Sequence, residues 1–367
     1  MGRREFLAAL AALQGDRPSP GLVYVGALPS QVLVFDEDQE KVVDRIPLHT
    51  GVPRRLRLSY DKKKFYVTTP LKNGIEVVDL ASRKVVNHFV LNEADRRVQL
   101  AGFAPDPRDQ ILYGEIRVAI KRLDRFEIEK PKLAVIDLAQ QKIVRTADVP
   151  LIDGRPAPLG GFRVSPDGKY LYSFARDVRI FDTADFKLVE TIEVSKPLYP
   201  GMARLGFGPQ DDPDEEPEAV TGVFNSTDPV VRRTVFGIAR FDLNRRTFEF
   251  TPVGPAAGGM MGLRLAPDRK TGYTVAFQGD IGNRRCEFWV FDMATRKVVR
   301  RVEFDGPVNF NFTLSGDGKR IYLGGTAPVL EIYDAATLGR RRSVDMNADM
   351  TGGLLVGPRR ALAEPRP

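Results

Sequence analysis

Apolar residues fall in short runs along this chain, some alternating with polar ones and some continuous, and each run is closed by a polar turn. Residues 160–194 (GGFRVSPDGKYLYSFARDVRIFDTADFKLVETIEV) show the pattern most cleanly. Its Val, Ile, Leu, Phe and Tyr runs predict four strands over 161–165, 169–175, 177–181 and 187–194. Pro166-Asp167-Gly168 joins the first pair, because Pro presets φ and Gly accepts φ > 0 without steric cost. Asp182-Thr183-Ala184-Asp185 turns the chain into the fourth strand. One such unit cannot bury both of its faces alone, so the unit has to repeat.

It does repeat. An apolar or aromatic residue followed by Asp ends the third strand at Asp36, Asp79, Asp137, Asp182, Asp242, Asp292 and Asp334, with spacings of 43, 58, 45, 60, 50 and 42. The first-hairpin turn recurs at Ser59-Tyr60-Asp61-Lys62, Ala104-Pro105-Asp106-Pro107, Ala266-Pro267-Asp268-Arg269 and Ser315-Gly316-Asp317-Gly318. Seven endings predict an all-β fold, a seven-bladed β-propeller of four-stranded antiparallel blades over residues 21–358. The runs at 22–25, 32–35 and 42–48 read as second, third and fourth strands with no first strand before them. Residues 352–358 read as an orphan first strand, so the N- and C-terminal strands are expected to pair in one blade and remove the open edges.

The long spacings mark where the repeat is interrupted. Loops joining second to third strands share one face of a propeller with the loops between blades. The excess in the third blade is 114–131 (GEIRVAIKRLDRFEIEKP), with smaller ones at 226–234 in the fifth and 279–285 in the sixth. All three fall between second and third strands. This predicts a partner or ligand surface carrying Arg117, Lys121, Arg122, Arg125, Arg232, Arg233, Arg284 and Arg285, the alternative being tolerated insertion. The acidic run 211–216 falls on the opposite face and reads as a solvated loop, with a divalent cation as the alternative.

Composition narrows the function classes. The net charge is +7, from 55 Lys+Arg against 48 Asp+Glu, and the arginines are scattered as pairs rather than gathered into one basic tail. Nucleic-acid binding is therefore not expected, and no apolar run reaches the length of a membrane span. The single Cys286 excludes an intrachain disulfide and a cysteine metal cluster. At the N-terminus Arg3 and Arg4 precede a short Ala/Leu run, with Ala9-Leu10-Ala11 a small-residue cleavage site. Residues 1–20 thus resemble a twin-arginine signal and predict a periplasmic protein, the alternative being a short N-terminal helix of a cytoplasmic one. Residues 359–367 are expected to form a disordered tail.

Candidate chemistry is sparse. No phosphate-cradling loop, nucleophile elbow, zinc-protease helix or haem-attachment motif occurs. His88 falls in a fourth, outer strand and reads as surface, and Trp289 and Cys286 read as core. His49, between the first and second blades, is placed near the channel mouth as a candidate ligand or acid/base. Aligning the repeats puts Arg57, Arg163 and Arg264 at one position of the first strands, with Arg204 two residues earlier in its blade. These guanidinium groups could converge on an anion in the channel; the alternative is that each pairs with an acid of the next blade.

The repeat as a whole looks like bacterial YVTN-type propellers. More closely, the chain resembles the β-subunit of quinohemoprotein amine dehydrogenase. The resemblance is carried by 118–137 with Phe126-Glu127-Ile128-Glu129-Lys130-Pro131, by 165–182, by Arg233-Thr234 leading to Phe241-Asp242-Leu243, and by 314–338. It covers most of the chain from Leu22 onward. It implies a periplasmic, non-catalytic subunit that scaffolds two partners, a small subunit bearing cysteine tryptophylquinone and a dihaem cytochrome carrying haem c. This chain itself, with one Cys, would hold neither cofactor covalently. No catalytic residue of the family carries over to a position here. The alternative is a stand-alone periplasmic propeller that binds a ligand or protein partner.

Overall fold

The computed structural model describes residues 21–175, 177–194, 202–207, 216–227, 230, 232–255, 258–279, 283–306 and 309–358. The signal-like segment 1–20, the tail 359–367 and most of the acidic run lie outside the described residues. The described residues form seven antiparallel sheets of four or five strands, each a meander running from the ring centre outward. This is the expected seven-bladed β-propeller. The second, third and fourth strands of blade 1 are Leu22–Ala27, Gln31–Asp36 and Lys41–Pro47, and the C-terminal Met350–Val356 is its first. Val23, Tyr24 and Val25 pair with Val356, Leu355 and Leu354, so the chain ends close the ring through a β-ladder. Residues 160–194 fold as blade 4, with strands Phe162–Val164, Tyr170–Phe174, Val178–Asp182 and Leu188–Ile192.

Second and third strands are buried almost throughout, as in Lys64–Thr69 and Gly74–Asp79. Each blade is sandwiched between two others, so both faces of these strands are apolar and their sequences run continuously rather than alternating. The core is accordingly divided into seven clusters, one at each seam. The cluster joining blade 7 to blade 1, for example, unites Tyr322, Leu330 and Ile332 with Val23, Phe35 and Val356. Fourth strands have one face at the rim and alternate, as Lys142–Asp148 does between exposed and half-buried positions.

The recurrent turn residues have defined tasks. Asp36 Oδ1 accepts the N–H groups of Asp38 and Gln39, Asp137 Oδ1 those of Ala139 and Gln140, and Asp334 Oδ1 that of Thr337. Each Asp thereby holds the turn into the fourth strand as an Asx turn. The N–H groups of Gln140 and Thr337, the largest influence in each case, hold Asp137 and Asp334 below the usual carboxylate range. In the first hairpin, Ser59, Ser165 and Ser315 donate through Oγ to Asp61, Asp167 and Asp317 at 2.6–2.7 Å. Gly168 takes φ 76° there, as its sequence position predicts.

A second regularity is purely geometric. In six blades a β-bulge interrupts the third and fourth strands just before the closing Asp, as between Val34 and Phe35. The bulge turns one fourth-strand side chain toward the following blade. Asp44 meets Arg83, Asn87 donates to Leu138 O, Arg145 to Thr183 O and Ala184 O, and Glu190 accepts from Arg246. Arg300 donates to Ala336 O, and Arg342 meets Glu40 across the closing seam. Blade 5 carries its bulge instead between Phe236 and Gly237. There Glu249 and Thr251 flank the equivalent position and share Arg296. Every seam thus has one such polar clasp.

The closing seam has another at Glu37, 3% exposed, whose two carboxyl oxygens both lie 3.1 Å from the donating Gly316 N. Burial pushes this carboxyl up from its ordinary 4.5 to about 7, with Gly316 N–H opposing the shift. The folded chain therefore holds a proton that the unfolded chain releases between those pH values. The group's contribution to stability is full below about 4.5 and is lost as pH rises through 7, by up to about 3 kcal/mol. Thermal unfolding across pH 5 to 8 is expected to show a loss of stability that Glu37→Gln reduces; parallel profiles for the two proteins would contradict this assignment.

Candidate functional site

The meander puts second-to-third-strand loops and inter-blade loops on one face. The largest feature of that face is the excess in blade 3, which is strand rather than loop. The second strand, Ile111–Lys121, outruns the blade body and returns as Phe126–Ile128, while the first strand, Arg96–Pro105, extends beside it. Residues opposite each other in an antiparallel pair share a side, so the register sorts this extension. Val98 and Val118 face inward and are buried with Ile75, Phe89 and Leu91 of blade 2. Arg97, Arg117, Lys121, Phe126 and Ile128 share the other side. Phe126 and Ile128 are 63% and 73% exposed there. At the tip Arg122 pairs with Glu127 and Asp95, and Arg125 with Glu127 and Asp124, so the tip arginines are locally neutralised.

The other two enlargements are partly absorbed into strands as well. Ser226 and Thr227 end the second strand of blade 5, and Thr234 begins its third, leaving a shorter loop than 226–234. Val230 in that loop is 86% exposed, and Arg232 and Arg233 follow it on the surface. In blade 6 Arg285 begins the third strand and pairs with Glu303 at 3.7 Å. Arg284 lies over the Phe277 ring, 3.7 Å from its centroid. A short hairpin that the strand pattern did not reveal, Leu151–Ile152 with Arg155–Pro156, joins blades 3 and 4 on this face and exposes both Leu151 and Ile152. Leu71, 76% exposed, tops the equivalent turn of blade 2. Among the described residues, no loop of the opposite face exposes a large apolar side chain. Among these residues, large apolar side chains exposed outside the rim strands are confined to one face.

The channel arginines lie in first strands, as their spacing predicted. Arg57 reaches across two seams, donating to Phe103 O of blade 3 and to Phe162 O of blade 4, the latter at 3.0 Å. Arg163 donates to Glu216 O at 2.9 Å, and Arg264 is buried. Arg204 is described through its backbone, which pairs with Asn225. The hydrogen bonds of Arg57 and Arg163 named here thus go to main-chain carbonyls of other blades. Glu216, at the end of the acidic run, pairs with Arg240 and Arg269. No group of His, Cys, Asp and Glu with the geometry of a metal site occurs among the described residues.

His49 does not face the channel mouth as expected but lies against the outer, fourth strand of blade 2, Lys84–Val90, where it has a partner that its sequence position did not reveal. Its ring stacks on His88, with centroids 4.1 Å apart and planes 8° from parallel. His49 Nδ1 lies 3.2 Å from Oε2 of Glu76, a fully buried carboxylate paired with His88 in the sheet register. Glu76 Oε1 accepts from His49 N, Thr50 N and Thr50 Oγ1. Trp289 and Cys286 are core, as expected: Trp289 Nε1 donates to Glu287, and burial pushes the Cys286 thiol up, which leaves it inert.

No protein-family model matches the sequence, and no curated protein matches it. Among solved structures it is similar to a functionally unknown protein from Desulfotomaculum acetoxidans, at 13% identity and TM-score 0.59 over 93% of this chain and 100% of that one. It is also similar to the dihydro-heme d1 dehydrogenase NirN, at 16% identity and TM-score 0.54 over 92% of this chain and 75% of that one. Hydrazine synthase from Kuenenia stuttgartiensis aligns at 16% identity and TM-score 0.49 over 87% and 90% of the respective chains. At these identities the first two show a likeness of fold alone, and the class is defined by the chain's own sheets as the seven-bladed β-propeller.

The Glu76 cluster makes a testable demand. Glu76→Ala strips the acceptor from the three hydrogen bonds on Oε1 and removes the His49 ring's partner on Oε2, and an unsatisfied buried donor costs about 1–3 kcal/mol. Urea unfolding is expected to show a loss of about 3 kcal/mol or more; a loss below about 0.5 kcal/mol would contradict the arrangement.

Proposed function

We propose that this chain is the non-catalytic propeller subunit of a periplasmic, amine-dehydrogenase-like redox complex. It scaffolds a small quinone-bearing subunit and a dihaem cytochrome, which hold the tryptophylquinone and the haem c. The observation that carries the reading is the outer side of the blade 3 extension. Phe126 and Ile128 stand exposed among Arg97, Arg117 and Lys121 on a rigid three-stranded sheet. A side chain mix of this kind suits a partner that supplies apolar area and carboxylates, and exposed apolar clusters mark interaction surfaces. The sequence resemblance to the amine dehydrogenase β-subunit runs through the same segment, 118–137. The arginines around Val230 and Phe277 extend a basic rim along that face, which would steer an acidic partner toward it.

Purification of the tagged chain from its native host tests the reading. A haem-staining partner is expected to co-elute, and the double variant Phe126→Asp/Ile128→Asp is expected to lose it while unfolding at the parent temperature. A colourless protein that elutes alone, or a double variant that retains the partner, would overturn the reading.

A further inference from the structure

We propose that the cleft between blades 2 and 3, at the foot of the projecting strands, binds a small dicarboxylate. The cleft measures about 200 Å³ and opens on the loop-bearing face. That is room for several waters, and so for a short diacid. Three arginines, Arg54, Arg55 and Arg117, line it, and no carboxylate does.

The fold builds this site from two blades. Blade 2 supplies Arg54 and Arg55 where its first strand begins, and blade 3 supplies Arg117 from its second strand. A β-bulge between Leu100 and Gly102 exposes the Ala101 carbonyl, which accepts from Arg55 Nη1 at 2.6 Å and holds that guanidinium at the cleft wall. Glu115 is nearly buried and accepts from Arg117 Nε at 2.9 Å, which fixes the Arg117 plane. The Arg54 guanidinium makes no hydrogen bond or ion pair within the described residues, and Arg117 makes no side-chain hydrogen bond there beyond the one to its ion-pair partner Glu115. Gln99 and Asn73 add polar groups at the edges.

Guanidinium forks match carboxylates bidentately, and a gathered excess of positive charge calls for more than one carboxylate. Leu100, Pro70 and Ala101 supply an apolar wall suited to a short carbon backbone, which inorganic phosphate lacks. The cleft shares Arg117 with the proposed docking side, but its test uses the chain alone, so its failure and that of the docking reading are distinguishable.

Calorimetric titration of the full chain at low salt tests it, with succinate as probe and inorganic phosphate in parallel. Saturable succinate binding is expected, tighter than phosphate and weakened by added salt. Arg54→Ala and Arg117→Ala should each weaken it about tenfold or more, while Arg108→Ala on the opposite face leaves it unchanged. Thermal unfolding of the parent should also shift upward with succinate. Absence of saturable binding, succinate binding by either cleft variant as tight as the parent's, or tighter binding of phosphate would each overturn the inference.

Discussion

A four-stranded blade whose inner strands are apolar on both faces cannot stand alone, and the rest of this structure follows from that constraint. A linear stack of such blades leaves two apolar faces bare; a ring leaves none. The ladder between Val23–Val25 and Leu354–Val356 is therefore the structural keystone. It ties the last described strand to the first and allows the blade 7 to blade 1 cluster to form like the other six. Glu37 sits on the same seam, where burial of a carboxyl makes the closure sensitive to pH.

The ring makes the chain's departures from its repeat readable as function. Where Asp caps a turn or a bulge aims one side chain at the next blade, the residues serve the seams. Where blade 3 outgrows the ring, its strands carry side chains that no seam uses. The extension is not a loose loop. Val98 and Val118 anchor it on blade 2, so its outer side is presented rigidly, and a rigid surface loses little conformational freedom on binding. The arginine cleft at its foot arises from the same departure, because the bulge that starts the extension also exposes Ala101 O.

The blade count and the closure were legible because they rest on chemistry that recurs by residue type. The Asp ending each third strand is an Asx-turn acceptor in blade after blade, and only one terminal segment lacked a partner strand. The seam clasps were not legible. The bulge keeps a position while the residue there alternates among Asp44, Asn87, Arg145, Glu190 and Arg300, with donor and acceptor exchanging places. For the candidate site, the projection at 114–131 could be read from spacing, but not which side of it stands free. Basic and apolar residues occur on both parities, and only the register with Phe126–Ile128 separates them. The stacking of His49 on His88 joins positions far apart in the chain and has no local signal.

The central claim is that one face of a closed ring carries the function and the other serves the fold. Hydrogen–deuterium exchange, comparing the chain alone with the chain in its native assembly, tests it most directly. Added protection is expected over 111–128 and 151–156, with the Asp-capped turns of the opposite face unchanged. Protection concentrated on those turns, or spread evenly around the ring, would contradict it.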